Sequence, residues 1–417
     1  MRTPWLLATL LLAGCPGDGN LIPDDDDDDS TPEPTPEPID CVAKANPLPV
    51  DFETVEEIVS AEDFVFGMDG EVLSIDPAGT LVSSTRDGDH EILVPGVVGP
   101  VEAGGSAGIS MLPNGDIIVA DVGAGALVRV TPDGGRETIL SGLAYPNGVE
   151  IHRDGWIAVA ENDGAQVRRV DPDTGEFVIL GTDLFAPNGV TFSPDWNTLY
   201  VGSFGGGTVH SIPLDDEGAA GPPVQFGDTF DFTLKGGGGP PWGLDPWTTA
   251  CEGLDARDDC TLVDQPGECV DLGGGFLQCE APDPFGAACE GLEEGAECAL
   301  LTETGICENF GFDIVCNNPS WWGGGDGGGG LDGIAADICG NVYVTEFTSG
   351  RIFRWTEEGG VPEIVVTLPS WWIPNMDFGP GLGGWDETKL WVNTRDSDQM
   401  YGLDIGLPGR PVAHRPE

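Results

Sequence analysis

The stretch from Leu143 to Tyr200 constrains the fold most, because it contains the same unit twice in tandem. Each copy begins with Pro-Asn-Gly-Val, first at Pro146 and again at Pro187, and continues as short runs rich in Val, Ile and aromatic residues. Gly, Asp, Asn or Pro bound these runs, a pattern that predicts short antiparallel strands. Four strands per unit at a period of about 40 residues are typical of a β-propeller blade.

Four further units with this pattern begin near Glu62, Ala107, Leu331 and Pro374. The last unit has three strands of its own, and we expect Thr54 to Val59 to supply the fourth and close the ring. Closure is needed because an open propeller would expose strand edges. The sequence therefore predicts an all-β, six-bladed β-propeller, with blades 1–4 in residues 50–235 and blades 5–6 in residues 331–417.

A cysteine-rich insert, residues 236–330, interrupts the propeller before blade five and is itself duplicated. Cys-Glu-Gly-Leu occurs twice, and each copy is followed by three more cysteines at similar intervals: Cys251, Cys260, Cys269 and Cys279, then Cys289, Cys298, Cys307 and Cys316. Small modules of this kind need crosslinks because they cannot bury a sufficient core. We therefore predict two disulfide modules, whose internal pairing pattern stays open. Cys41 and Cys339 are left over as candidates for a fifth disulfide.

Glycine runs flank this insert at both ends, which indicates a flexible tether. Because the insert enters directly before an innermost strand, we expect it over the mouth of one propeller face. A lid, a decoration and a docking module for an unknown protein partner are all open.

The N-terminal residues resemble those of a bacterial lipoprotein. The apolar run from Trp5 to Leu12 is too short to span a bilayer but suits a signal peptide of residues 1–14. It leads into Leu-Ala-Gly-Cys, which resembles a lipobox and implies lipidation of Cys15; the alternative is an ordinary signal peptide with an incidental cysteine. Residues 15–49 are acidic and proline-rich and predict a disordered linker. We expect an exported protein anchored by lipid in the cell envelope, with the outer membrane or surface favoured.

Charge and histidine content exclude two function classes. The formal net charge is −56, so nucleic-acid phosphates would be repelled. The chain has four histidines, which form no cluster in the sequence, so a histidine-based zinc site is not expected.

Oxygen-bearing side chains precede or begin the innermost strands of most blades: Glu62, Asn147, Asn188, Asp332 and Asn375. Blade two has Ala107-Gly108 at this position. Equivalent positions of a ring converge on its axis, and carboxylate and amide oxygens are the ligands that calcium and magnesium prefer. The sequence thus predicts a divalent-cation site, while the alternative reading is that Pro-Asn-Gly is a turn that needs no metal.

At these residues the chain resembles the senescence marker protein/gluconolactonase/regucalcin-like family of six-bladed propellers, which is related to strictosidine synthase and the paraoxonases. The resemblance covers roughly residues 50–410 without the insert. It implies one bound divalent cation, which we expect to be calcium. The implied ligands are Glu62, Asn147, Asn188 and Asp332. It also implies lactone hydrolysis in which Asp332 is both a ligand and the general base.

Two positions depart from the pattern of the family. Gly148 stands where sugar lactonases commonly have Asp, and Tyr145 stands where an Arg often binds substrate. A polyhydroxylated acid substrate is therefore less expected than the cation.

A repeated Pro-Ser-Trp-Trp motif places four tryptophans before the innermost strands of blades five and six: Trp321, Trp322, Trp371 and Trp372. They are expected near the mouth, either packed against the insert or forming an apolar wall for a ligand.

Two functions follow from these features. One is a metal-dependent hydrolase of small-molecule lactones or related esters. The other is a non-catalytic surface lipoprotein whose propeller and insert bind a ligand or protein, with a structural calcium.

Overall fold

The computed structural model describes residues 39–417 except 61, 100–105, 205–206, 216–217, 220, 230–250, 252–256, 263–264, 272–276, 281–287, 290, 293–295, 301–302, 310–313, 318–329, 348, 371, 396 and 416–417. The predictions for Cys15, for the signal peptide and acidic run, and for Trp321, Trp322 and Trp371 lie outside these residues. Over the part of the chain that is described, no helix has the length and apolar character needed to cross a membrane.

Short antiparallel strands dominate the first half of the described chain, after a single-turn helix, α1 (Cys41–Lys44), and strand β1 (Phe52–Glu56). Blade one contains β2 (Phe64–Phe66), β3 (Val72–Ile75), β4 (Leu81–Ser84) and β5 (His90–Val94). Blade two contains β6 (Ser106–Met111), β7 (Ile117–Asp121), β8 (Ala126–Val130) and β9 (Arg136–Ser141). Blade three contains β10 (Pro146–Ile151), β11 (Ile157–Glu161), β12 (Gln166–Val170) and β13 (Phe177–Thr182). Blade four contains β14 (Pro187–Phe192), β15 (Thr198–Ser203), β16 (Val209–Asp215), β17 (Gly218–Ala219) and β18 (Val224–Phe226).

The second half contains the insert and the last two blades. The insert has two three-stranded sheets: β19 (Asp259–Leu262), β20 (Gln265–Asp271) and β21 (Leu277–Glu280), then β22 (Glu297–Leu300), β23 (Glu303–Asn309) and β24 (Ile314–Asn317). Blade five contains β25 (Leu331–Ala336), β26 (Val342–Glu346), β27 (Arg351–Thr356) and β28 (Gly359–Thr367). Blade six contains β29 (Met376–Phe378), β30 (Lys389–Asn393) and β31 (Gln399–Asp404), with β1 as its outer strand. These six sheets confirm the predicted six-bladed propeller.

Strand β1 closes the ring from the other end of the sequence. It pairs antiparallel with β31, from Phe52 opposite Leu403 to Glu56 opposite Gln399. This is the closing strand predicted from Thr54–Val59, shifted towards the N-terminus. As a result, the outer edge of β31 is paired and not exposed.

The innermost strands of the six blades contact one another in a ring around the propeller axis. Apolar side chains fill the wedges between neighbouring blades, as Leu73 does with Val119 between blades one and two. Between blades six and one, Trp385 and Trp391 are almost completely buried and pack edge-to-face at 4.7 Å between ring centroids. Burial of this apolar area is the main force that holds the ring together.

A glycine follows the first polar residue of several innermost strands because the neighbouring backbone comes too close for a side chain. A Cβ atom on Gly148 would lie 2.3 Å from the carbonyl oxygen of Asn188, and one on Gly189 would lie 2.4 Å from that of Asp332. The strand pairing shifts register at the same points, as in a β-bulge. Pro-Asn-Gly is therefore the beginning of an innermost strand, and its glycine lets adjacent strands approach at the axis.

The C-terminal segment Gly409–His414 lies across the other end of these innermost strands, next to a cavity of about 60 Å³. Arg410 forms an ion pair with Glu150 (Nη2 to Oε2, 2.5 Å) and donates a hydrogen bond to Thr191 (Nε to Oγ1, 3.0 Å). His414 is buried, and its Nε2 lies 2.9 Å from the carbonyl oxygen of Phe66. The tail therefore connects strands of three blades.

The predicted disulfides of the insert are confirmed, with the same pairing in both modules. The first cysteine of each module bonds the third and the second bonds the fourth: Cys251–Cys269, Cys260–Cys279, Cys289–Cys307 and Cys298–Cys316. In both modules the third and fourth cysteines lie opposite each other on neighbouring strands without being bonded to each other: Cys269 and Cys279, then Cys307 and Cys316. Two bonds per module compensate for a core too small to hold three strands unaided.

The remaining pair, Cys41 and Cys339, is also a disulfide, and it attaches the segment of α1 to blade five. The compact unit accordingly begins at Asp40, within the residues assigned to the linker from their composition. Whether the insert lies over the propeller mouth stays a prediction.

Candidate functional site

The predicted site residues meet at one end of the propeller axis, around a cavity of about 20 Å³. The cavity has room for one water-sized sphere, and thus for a single ion. It is lined by Glu62, Asp63, Gly108, Asn147, Gly148, Asn188, Gly189, Asp332, Gly333, Pro374 and Asn375. All five oxygen-bearing residues singled out in the sequence are in this set, and blade two contributes Gly108 without a ligand atom.

Three carboxylates surround the cavity, and burial disfavours their charged forms. The Asp332 side chain is buried, which raises its pKa well above the usual range, and the charges of Glu62 and Asp63 raise it further. Burial likewise raises the pKa of Asp63 well above its usual range, against the lowering effect of two backbone N–H donors. Burial also raises the pKa of Glu62, opposed by the guanidinium of Arg395.

Among the described ion pairs, one reaches this cluster: Arg395 Nη1 lies 2.9 Å from Glu62 Oε2. Three ionised carboxylates and one guanidinium carry −3 + 1 = −2 formal charges in a buried cavity. Uncompensated buried charge is strongly unfavourable. The donor set therefore fits a divalent cation, which would cancel this charge and accept hard carboxylate and amide oxygens.

The carboxylates alone do not make a complete ligand set. Within the described chain, Glu62, Asp63 and Asp332 do not bring three carboxylate oxygens within 4.8 Å of one another. The amides of Asn147 and Asn188, both buried, lie between them around the cavity. A cation held here would need those amide oxygens, in agreement with the mixed ligand set that the sequence predicts.

Asp63 was missed in the sequence and is fixed by several hydrogen bonds. Its two carboxylate oxygens accept from the backbone N–H of Phe64 (2.6 Å) and of Ile109 (2.9 Å), and the side-chain amide of Asn375 donates to it as well. Asn375 therefore positions Asp63. The available signal was an acidic residue directly beside Glu62, but two-residue strand periodicity would have placed it on the opposite face.

Blade six contributes two residues that the sequence analysis did not identify. Asn393 donates from Nδ2 to Ser60 Oγ (2.7 Å) and to the carbonyl oxygen of Glu62 (2.9 Å), which fixes the loop before blade one. Arg395 follows two positions later and reaches the Glu62 carboxylate. The end of a blade's second strand lies at the same propeller face as the start of its first, which would have indicated both residues.

This relation recurs around the mouth of the site as a backbone hydrogen bond. In four blades, the first or second residue after the second strand donates its N–H to the segment that precedes the first strand: Asn162 to Tyr145, Phe204 to Ala186, Phe347 to Gly330 and Arg395 to Trp372, at 2.8 to 3.0 Å. In these blades the two segments therefore meet at the propeller face that holds the cavity.

Aromatic side chains form a row along this mouth, which we call the aromatic row: Phe204, Phe347 and Trp372. Ring centroids are 6.2 Å apart between the first two and 5.0 Å between the last two. The guanidinium of Arg395 lies 5.8 Å from the centroid of Trp372. Tyr145 is 45% exposed, with φ of 54°, and burial and the charge of Glu62 raise the pKa of its hydroxyl.

The fold and the cavity define a class of protein: a six-bladed β-propeller with a buried, oxygen-lined cavity at one end of its axis. No family model matches the chain. Its structural neighbours are gluconolactonase- and regucalcin-like six-bladed propellers, as the sequence resemblance predicted. A gluconolactonase from Xanthomonas campestris is 15% identical, with a TM-score of 0.50 over 89% of this chain and 94% of that one. A calcium-binding regucalcin from Agrobacterium tumefaciens is 14% identical, with a TM-score of 0.52 over 88% and 98%.

One curated protein is similar over a short stretch. It is a lactonohydrolase from Aspergillus oryzae, 43% identical over 60 residues. The match spans 12% of this chain and 13% of that protein. At these identities and coverages the comparisons establish the fold.

Proposed function

We propose that this protein is a divalent-cation-dependent hydrolase of lactones or related esters. The observation that carries the proposal is the axial cluster itself, in which buried carboxylates and asparagine amides converge with an excess of negative charge. The similar proteins support it, since they are a gluconolactonase, a calcium-binding regucalcin and a lactonohydrolase. Calcium is the cation we favour, because it tolerates several amide and carboxylate oxygens in irregular geometry.

Four residues would hold the cation: Glu62, Asn147, Asn188 and Asp332. When bound, the cation would polarise the carbonyl of the substrate and stabilise the developing oxyanion. The protein's own contribution is a rigid arrangement, since each ligand lies within two residues of the start of an innermost strand that its neighbours hold in place. Preorganised groups of this kind do not need to reorganise as charge develops.

Asp332 is the residue we assign to proton transfer. Its carboxylate has two oxygens, so one can bind the cation while the other accepts a proton from the attacking water. The side-chain amide of Asn188 fixes the orientation of this carboxylate by a hydrogen bond. A positioned general base contributes about 10²–10⁴-fold to the rate.

The mouth of the site favours apolar esters or lactones over polyhydroxylated ones. It presents the aromatic row and the exposed ring of Tyr145. Rings of this kind bind apolar ligand surface. Tyr145 occupies the position at which the family's arginine would bind a sugar-acid substrate.

We place the protein outside the cytoplasm, attached through Cys15. Five disulfides support export, because such bonds persist in oxidising compartments. Replacing Cys15→Ser should release the protein or leave it unprocessed; a mature, lipid-modified variant that still partitions with membranes would contradict the anchor.

A non-catalytic binding protein with a structural cation is the second candidate. The duplicated disulfide modules favour it, because small crosslinked modules are common in binding proteins. Both candidates bind the cation, so cation binding does not distinguish them. Catalytic turnover does, because only the hydrolase would turn over a substrate.

The test combines calcium titration calorimetry with hydrolysis of a panel of lactones and aryl esters, with and without chelator. Asp332→Asn should weaken calcium binding about tenfold and reduce turnover by about 10²–10⁴-fold. Glu62→Gln should weaken calcium binding as well, but excess calcium should restore most of its turnover. Asp173→Asn, at a side chain that is 79% exposed, is the matched control and should change neither.

Unchanged calcium binding in both site variants would refute the cation site. Calcium binding without turnover on any ester or lactone would favour the second candidate. Full turnover of Asp332→Asn with calcium bound would remove its role as the base.

A further inference from the structure

Blade six lies between two blades that carry residues assigned to the cation, yet it supplies no such residue itself. Three of the assigned residues come from the consecutive blades three to five, and the fourth, Glu62, precedes blade one. Blade six has Asn375 at the equivalent position, but its amide is already used. The oxygen Oδ1 accepts from the backbone N–H of Met376 (2.8 Å), and Nδ2 donates to Asp63. The amide of Asn375 is therefore directed at blade one.

The innermost strands are short where blades six and one meet. Strands β29 (Met376–Phe378) and β2 (Phe64–Phe66) have three residues each, whereas the innermost strands of blades two to five have six. The area over which neighbouring innermost strands can pack is therefore smaller at this junction. Side-chain hydrogen bonds from blade six position the loop that carries Glu62.

Asn393, at the end of the second strand of blade six, is the centre of these hydrogen bonds. Its side chain is fully buried, and Nδ2 donates to Ser60 Oγ (2.7 Å) and to the carbonyl oxygen of Glu62 (2.9 Å). Its Oδ1 accepts from the backbone N–H of Asn375 (3.0 Å). Both amide protons and the amide oxygen are used, so Asn393 joins the entry of blade six to the loop before blade one.

Blades two to five use this position differently. The residues that end their second strands are also buried: Asp121, Glu161, Ser203 and Glu346. Among the described residues, the side-chain hydrogen bonds of the three acidic ones stay within their own blades, and the hydroxyl of Ser203 has no partner. Asn393 differs from this set because its hydrogen bonds cross to a neighbouring blade.

Blade six also controls the side chain of Glu62 and the chain that leads to it. Arg395 Nη1 contacts Glu62 Oε2 at 2.9 Å, and this contact uses one carboxylate oxygen, so the other stays available to a cation. Strand β1 ends at Glu56 and is paired with β31 of blade six. The position of Glu62 therefore depends on blade six through its backbone, through its carboxylate and through the strand before it.

From these contacts we propose that Asn393 is a positioning residue of the cation site, and that it links cation binding to closure of the ring. A cation held by Glu62 and by the ligands of blades three to five spans the junction that blade six closes. By linkage, hydrogen bonds that keep the junction closed tighten cation binding, and the bound cation makes the junction harder to open. This inference rests on the cation site of the proposed function and not on hydrolysis.

The first experiment is calcium titration calorimetry on the full-length protein. Asn393→Ala should weaken calcium binding about tenfold, because the hydrogen bonds that fix the Glu62 loop are lost. Ser60→Ala is the milder variant, since it removes one of these bonds and keeps Asn393, and it should weaken binding about threefold. Ser203→Ala, at the same position of blade four, is the matched control and should bind calcium as the wild type does.

Two further measurements separate positioning from a general loss of stability. In a Glu62→Ala background, Asn393→Ala should not weaken calcium binding further, because Asn393 acts through Glu62. In hydrogen exchange of the wild type, calcium should slow the paired amides of β1 and β31 about tenfold and leave those of β12 and β13 in blade three unchanged. Glu62→Ala should abolish this slowing.

Different results would overturn different parts of the proposal. If the wild type binds no calcium, the cation site and this inference fall together. Wild-type calcium affinity in Asn393→Ala, or in Ser60→Ala if the first variant does not fold, would refute the positioning role. Equal weakening with and without Glu62 would show that Asn393 supports the fold in general, which also refutes it. Calcium binding with this coupling but without turnover would overturn the hydrolase alone.

Discussion

The close approach of innermost strands at the axis leads to a measurable prediction at Gly189. An alanine Cβ there would lie 2.4 Å from the carbonyl oxygen of Asp332, 2.9 Å from Ile334 Cγ2 and 3.1 Å from Ile334 N. Ordinary contact begins at 3.4 Å, so the oxygen would have to move by 3.4 − 2.4 = 1.0 Å. Two of the three contacts are backbone atoms of a central strand, which cannot rotate away. Overpacking costs about 1–3 kcal/mol, and this rigid case falls at the upper end, about 3 kcal/mol.

The assay is denaturant unfolding of Gly189→Ala under non-reducing conditions, followed by calcium titration calorimetry. Calcium affinity should fall with stability, because strand β25 carries Asp332 and moves away from the axis. Gly99→Ala is the matched control: a Cβ there meets no atom of the described residues within 4 Å, so we expect a change between zero and about +1 kcal/mol. Equal stability of the two variants would refute the argument that glycine is required for axial packing.

Three further predictions concern the frame around the site. Glu346→Gln removes the carboxylate of a buried ion pair and should destabilise by about 3 kcal/mol, whereas Glu363→Gln, at a surface pair of the same blade, should cost under about 1 kcal/mol in chemical denaturation. Burial lowers the pKa of His414 to about 4, so the unfolded chain binds more protons as pH falls from about 6.5. Relative to His414→Gln, wild type should lose about 3 kcal/mol between pH 7 and pH 4, and a pH-independent difference would contradict this. Replacing Cys41 and Cys339 together by Ser should lower the free energy of unfolding by about 2–4 kcal/mol, and an unchanged value would show that the bond does not constrain the chain.

The sequence predicted the architecture because each blade repeats the same local pattern, and repeats amplify a weak signal. Short runs of Val, Ile and aromatic residues, bounded by turn residues, predicted the strands. Blade six lacked a fourth strand of its own, so a closing strand from elsewhere in the chain was required. The disulfide pairing within the insert was not predictable, because cysteine spacing is compatible with several connectivities. Strand adjacency does not give it either, because Cys307 and Cys316 lie opposite each other on neighbouring strands and yet bond Cys289 and Cys298, respectively.

At the site, the residues that occupy the equivalent position at the start of an innermost strand were predictable. Residues at other positions of a blade were not. Asn188 and Asp332 occupy equivalent positions, so the repeat placed both at the axis. Asp63 reaches the cavity because the chain has not yet entered strand β2, so strand periodicity misplaces it. Arg395 comes from a different segment of its blade, and its pairing with Glu62 depends on contact between the first and last blades.

The closing strand has a consequence for how fast this protein can fold. Glu56 and Gln399 are adjacent in the finished ring but separated by 343 positions in the sequence. Contacts of such large separation slow folding, because the entropy of the intervening chain is lost before the contact stabilises anything. We therefore expect the individual blades to form early and the junction of blades one and six to form last. Until that junction forms, the outer edge of β31 is available to other chains, so yield on refolding should fall steeply with protein concentration.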